Sequence, residues 1–201
     1  MPRKQADLII ENASELATPE GGSQKPLVGR QMHALKIIKD AALAVKDGRI
    51  VAVGKTATVR SAFKASETID AKGKTIVPGF VDPHTHLVFA GSREDEFEMR
   101  VKGASYMEIH RRGGGILKTV RETRGTCEAE LVRDCRKTLD IMLEHGTTAL
   151  EAKSGYGLTV EAEIKCLRAL RRLNEIHPID IVATFLGAHS IPAEYEKQPD
   201  D

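Results

Sequence analysis

Thr75-Ile76-Val77-Pro78-Gly79-Phe80-Val81-Asp82-Pro83-His84-Thr85-His86-Leu87 is the stretch on which the fold turns. An apolar run leads directly into two histidines spaced two apart. Side chains at i and i+2 of a strand share a face, so a strand ending here carries His84 and His86 into one cavity at its C-terminal end. Neutral imidazole is the commonest protein ligand for zinc-like ions, and two of them on one rigid strand make half of a metal site. A bare His-x-His pair is more often a solvated turn. Here the apolar run before it, the turn-forming Asp82-Pro83 and the glycine-containing loops behind it favour the metal reading.

Downstream of residue 75 the pattern alternates strand with helix. Thr126 is placed to cap a helix with Glu128 and Glu130 in its first turn. Leu131, Cys135, Leu139 and Met142 form that helix's apolar line, and Gly146 ends it. Thr147 to Ala152 reads as a strand leading to Ser154-Gly155-Tyr156-Gly157. A second helix starts at Thr159, with Ile164, Leu167, Leu170 and Leu173 expected inward, and stops at Pro178. Asp180 to Leu186 is the next strand and ends at Gly187-Ala188-His189. Repeated βα units imply a parallel sheet, either doubly wound or closed into a barrel. In both, chemistry gathers at the C-terminal ends of strands, where His84, His86, Tyr156 and His189 all fall.

Upstream, residues 1 to about 75 read as a small unit of short strands. Asp7 to Ile10 is one strand. Ala42 to Val45 and Arg49 to Val53 form a hairpin around Asp47-Gly48, and residues 13 to 36 look like a long excursion. Thr68-Ile69-Asp70 and Thr75-Ile76-Val77 flank a turn at Lys72-Gly73.

Bulk properties narrow the class. A 41% hydrophobic, 29% charged composition is that of a soluble globular chain. A net charge of +1 offers no electrostatic case for nucleic acid or an anionic membrane surface as partner. Three cysteines without a CxxC spacing read as buried reduced thiols in a cytoplasmic protein. No signal peptide or apolar run of spanning length is expected.

Several residues beyond the pair are candidates. Arg93, a short loop past it, could clamp a substrate carboxylate in a bidentate fashion; a surface ion pair with Glu94, Asp95 or Glu96 is its ordinary alternative. Tyr156, between two glycines, could stack on or hydrogen-bond a flat polar ligand, or pack on the next helix. His189 could be a third metal ligand, a donor to substrate or a satisfied strand-end histidine. Lys153 could be a carboxylated metal bridge or a solvated lysine. Gly113-Gly114-Gly115 could approach an anion through backbone amides but lacks any nucleotide-binding spacing.

Together, "IDAKGKTIVPGFVDPHTHL" after a strand-rich start and before βα repeats resembles the amidohydrolase superfamily of metal-dependent hydrolases. "VDPHTHLVFAGSREDEFEMR", "GGGILKTV", "EAKSGYGLT" and "FLGAHSIPAEY" narrow the resemblance to the imidazolonepropionases of histidine degradation. The resemblance implies an α/β fold: the N-terminal half of a (β/α)8 TIM-type barrel over residues 76–201, preceded by part of a small β-sandwich domain over residues 1–75. It implies His84 and His86 as metal ligands, for one zinc or iron ion. Arg93, Tyr156 and His189 would bind 4-imidazolone-5-propanoate, Arg93 through the carboxylate, so His189 moves from metal to substrate. The reaction implied is hydrolysis of the ring's amide C–N bond to N-formimidoyl-L-glutamate, in a cytoplasmic homodimer. A barrel needs roughly 250 residues, so about four βα units are expected here. The remaining ligands and the catalytic acid and base are expected in a later half. The rival readings are an inactive remnant and a related deaminase acting on a different cyclic substrate.

Overall fold

The computed structural model describes residues 2–19, 27–33 and 35–196. The chain divides into two compact units, Met1–Pro78 and Gly79–Asp201.

The first unit is built on β1 (Lys4–Pro19), β2 (Leu35–Lys46), β3 (Arg49–Lys55), α1 (Thr56–Ala62), β4 (Phe63–Asp70) and β5 (Thr75–Ile76). The sheet order is β3-β2-β1-β4, with β5 also on β1. Asp47 and Gly48 have φ of 51° and 71°, the paired positive values of the tight turn that suits the twist of the β2–β3 hairpin. Ala6 and Ile9 of β1 and Ala42 and Ala44 of β2 pack with Val59 of α1. A second cluster holds Ala13, Leu16, Ala41, Leu43 and Ala71.

One expectation changes here, and two features are added. The supposed excursion is largely strand: β1 and β2 stay paired from Glu15–Lys39 to Pro19–Leu35, past a bulge between Ile10 and Ala13. Leu16 is buried there, but Leu35 and Ile37 are exposed, so only a thin buried face accompanies the pairing. Residues 20–26 of that stretch lie outside the described residues. The segments flanking the turn at Lys72-Gly73 both pair in parallel with β1. Helix α1 was not foreseen because Thr56, Thr58 and Val59 are poor helix formers; burial of Thr56 and Val59 holds it in place.

The second unit runs β6 (Phe80–Thr85), α2 (Glu94–Val101), α3 (Tyr106–Arg111), α4 (Ile116–Gly125), α5 (Glu128–Glu144), β7 (Thr147–Lys153), α6 (Val160–Ile176) and β8 (Asp180–Thr184). Its sheet is parallel, in the order β6-β7-β8. Among the described residues this unit has three parallel strands rather than strands for about four βα units, because four helices lie between β6 and β7. Leu131, Cys135 and Leu139 of α5 and Cys166, Ala169, Leu170 and Leu173 of α6 enclose Leu150 and Ala152 of β7 with Leu87, Val88 and Ile179.

Helix ends and faces also shift. The buried stripe of α6 is Ala162, Cys166, Ala169, Leu170 and Leu173, and Ile164, two positions off that stripe, is exposed rather than inward. Thr126 closes α4 instead of opening α5, its hydroxyl donating to the Glu122 carbonyl at 2.8 Å. Cys127 takes the N-cap position and is exposed, so only Cys135 and Cys166 are buried thiols. Burial pushes those two up to about 11 and about 12. Thr159 caps α6 as expected, its hydroxyl accepting the Ala162 N–H at 3.3 Å. Among the described residues no helix is long and apolar enough to cross a membrane.

Candidate functional site

Three parallel strands end at one cluster of rings, all within the second unit. At the end of β6, Asp82 accepts the His84 N–H at 3.2 Å, and the Thr85 hydroxyl donates to the Glu151 carbonyl of β7 at 2.8 Å. With Thr85 tied sideways to β7, the flanking His84 and His86 rings lie with centroids 6.1 Å apart at 71°. The His86 ring is 4.8 Å from Tyr156, which follows β7, and 4.6 Å from His189, which follows β8. Tyr156 and His189 are 5.7 Å apart. The structure thus gathers His84, His86, Tyr156 and His189. Arg93 sits at the N-cap of α2, and among the described residues no hydrogen bond or ion pair joins it to the cluster. Its ordinary alternative is weakened all the same. Asp95 pairs with Lys118 at 2.9 Å, and the buried Glu96 accepts the Gly115 N–H at 2.7 Å.

The electrostatics suit a metal at His86. Burial, then the neighbouring His189 and His84, pull its imidazole below the ordinary value, which favours the neutral, ligating form. Among the described residues its buried Nδ1 has no hydrogen-bond partner, and an orphaned polar atom costs about 1–3 kcal/mol. A lone-pair donor left without a proton partner is what a coordination bond would satisfy. Two imidazoles, one orphaned, fit part of a catalytic metal's usual set of three protein ligands. Among the described residues no group of three or more His, Cys, Asp or Glu comes together as a complete set.

The remaining motifs resolve differently. Lys153 is neither free nor merely solvated: its ammonium pairs with Glu151, both side chains being mostly buried. That contact, then Thr184, holds the Glu151 carboxyl below its ordinary value, while its Oε2 has no partner. The Gly115 amide is taken by Glu96 and is not open to an anion.

Glu163, Arg124 and Ser154 were not singled out from sequence. Glu163 is buried in the first turn of α6, and its carboxylate accepts the N–H groups of Gly155 (2.9 Å), Gly157 (2.7 Å) and Leu158 (2.8 Å). The Arg124 guanidinium of α4 donates to the carbonyls of Gly157 (2.6 Å) and Leu158 (3.1 Å). The buried Ser154 hydroxyl accepts the Leu186 N–H at 3.0 Å. The one available signal was a glycine-flanked loop followed within a turn by an acid.

The amidohydrolase family matches residues 67–185, and a bacterial imidazolonepropionase-like composite domain matches residues 41–63. An imidazolonepropionase from Brevibacillus brevis is 50% identical over 195 residues, covering 95% of this chain and 46% of the relative. One from Herpetosiphon aurantiacus is 51% identical over 195 residues, covering 97% and 45%. The chain spans about half the length of the curated relatives it matches. Among solved structures, a guanine deaminase from Bradyrhizobium japonicum superposes with a TM-score of 0.58 at 20% identity, over 88% of this chain and 34% of that one. An adenosine deaminase from Xanthomonas campestris with bound zinc gives 0.53 at 21%, over 92% and 43%. At that identity the likeness shows the fold, an α/β architecture of TIM-barrel type.

Proposed function

The chain belongs to the amidohydrolase family, and we propose that within it these residues form the N-terminal half of an imidazolonepropionase. Residues 1–75 then contribute part of a β-sandwich domain, and residues 76–201 the first strands of the (β/α)8 barrel. The observation that carries this reading is half-identity to imidazolonepropionases along nearly the whole chain. The ring cluster at three strand ends supports it from the side of chemistry.

His84 and His86 would hold the metal, zinc or iron, since imidazole suits both. When bound, the ion supplies Lewis acidity that activates water for attack at neutral pH. Arg93 binds the propanoate carboxylate through charge-assisted hydrogen bonds. Tyr156 and His189 hold the imidazolone ring from two different strand ends, and His189 polarises its carbonyl. Fixing both ends of the substrate presents the amide carbon in one orientation, which is where much of the rate gain of a two-reactant step originates. The C–N bond of the cyclic amide is then hydrolysed to N-formimidoyl-L-glutamate.

The test is to incubate the complete, metal-loaded polypeptide that contains this sequence with 4-imidazolone-5-propanoate and analyse the product by mass spectrometry. N-formimidoyl-L-glutamate is expected. Ammonia release from a cyclic amidine, with the imidazolone left intact, would replace this reading with the deaminase one.

A further inference from the structure

Tyr156 lies in a loop whose polar backbone groups are claimed from both sides. Between the end of β7 and the start of α6, the amides of Gly155, Gly157 and Leu158 converge on the Glu163 carboxylate. The carbonyls of Gly157 and Leu158 converge on Arg124, which also pairs with Glu194 at 2.9 Å. A carboxylate accepting several backbone N–H groups is a strong, directional anchor. Glu163 is 2% exposed, so water does not compete for those amides.

The same loop is fastened to the one after β8. Gly155 has φ of 118°, and a Cβ there would lie 2.7 Å from the His189 Cβ and 2.9 Å from the Leu186 carbonyl oxygen. Only glycine permits that approach. The Ser154 N–H donates to the Thr184 carbonyl at 2.9 Å, and the Ser154 hydroxyl accepts the Leu186 N–H. Tyr156 is therefore bracketed by two amides bound to Glu163, in a loop packed directly on the backbone that carries His189.

From this we infer that Glu163 is a positioning residue for substrate: it acts through the 154–158 loop to hold Tyr156 and His189 as one preset unit. The inference rests on the proposed roles of those two side chains in binding 4-imidazolone-5-propanoate. Its mechanical half, the tether itself, stands apart from substrate identity. Glu163 touches no reacting group. Its effect is to remove the loop's freedom before substrate arrives, which lowers the ordering cost of binding.

The test compares Glu163→Gln with the unaltered complete polypeptide, both metal-loaded. The carboxamide keeps the size but turns one acceptor into a donor facing backbone N–H groups. We expect KM for 4-imidazolone-5-propanoate to rise about tenfold, the scale of one or two charged hydrogen bonds. The turnover number should stay within about threefold and bound metal should be unchanged. In a double-mutant cycle, Glu163→Gln added to Tyr156→Ala should raise KM far less than it does alone, because the loop then has no ring to place. Additive effects, or an unchanged KM in the single variant, overturn the inference.

Hydrogen exchange at residues 155–158 supplies a measurement free of substrate. Slow exchange in the unaltered protein and fast exchange in Glu163→Gln, with α5 unaffected, is expected; equal exchange in both overturns the tether. Should Glu163→Gln fail to fold, Ser154→Ala removes the hydroxyl that accepts the Leu186 N–H while leaving the backbone bond to Thr184, and an unchanged KM there overturns the claim that the two loops act as a unit. Absence of turnover by the unaltered protein would strike the substrate reading, while the exchange comparison still decides the tether.

Discussion

The segment closing β6 and the loop closing β7 meet at one ring cluster but are finished in opposite ways. After β6, His84 is exposed and His86 keeps a buried ring nitrogen without a partner among the described residues. After β7, the amides of Gly155, Gly157 and Leu158 and the carbonyls of Gly157 and Leu158 all have protein partners. The first is complete only with something added; the second is complete as folded. Under the proposed function the β6 segment is the metal end, which can be left open because coordination is strong enough to organise its own ligands, and the β7 loop is the substrate end. A substrate end gains from being ordered in advance, because weak contacts cannot repay much lost entropy.

The sharpest break of that contrast is His86→Ala. We expect loss of bound metal, and of turnover by well over about 100-fold, the loss that removing even an outer partner of a metal ligand can cause. Elemental analysis beside a turnover assay reads both. Metal retained at full stoichiometry in that variant would mean the β6 segment is not the open end.

Leu170→Ala probes the closed end from beneath. Leu170 is fully buried in the cluster joining α5, α6 and β7, and truncating it should cost about 2–5 kcal/mol of unfolding free energy. Denaturant titration measures that loss.

Arg93→Ala should raise KM about tenfold with metal content intact, the charge-assisted contact being worth about 1.5–3 kcal/mol. A KM equal to that of the unaltered protein would remove Arg93 from the substrate end. The smallest effect is expected from Thr159→Ala. That change deletes the α6 cap just ahead of Glu163 and should lower stability by about 1 kcal/mol, visible as a small shift in the denaturant midpoint.

Sequence periodicity reached the parts in which side chains pack on side chains. The two-residue spacing of His84 and His86, the Leu131-Cys135-Leu139 stripe and the Thr159 cap were all legible because strand and helix geometry allow few alternatives. Arg93, Tyr156 and His189 were candidates from the residues alone; their specific roles came from resemblance. Glu163 escaped notice because its partners are backbone amides, which every residue but proline carries and no motif reveals. The far arm of the β1–β2 pairing escaped for a related reason: its ladder bonds are backbone to backbone, and little of it is buried, Leu35 and Ile37 being exposed.

The bulge in β1 bears on how this protein behaves in a crowd. Asn12, with φ of 58°, donates its N–H to the Thr56 hydroxyl and its side-chain amide to Asp70. Before it, β1 offers its edge to β4 from Lys4 to Glu11; beyond it, the edge passes to β5 at Glu15 and Leu16. Two short strands thus share a border that one straight partner would have left open past residue 11. An open border of that kind is a template on which a second chain can add a strand and begin an aggregate. The kink at Asn12 keeps that template occupied within the molecule.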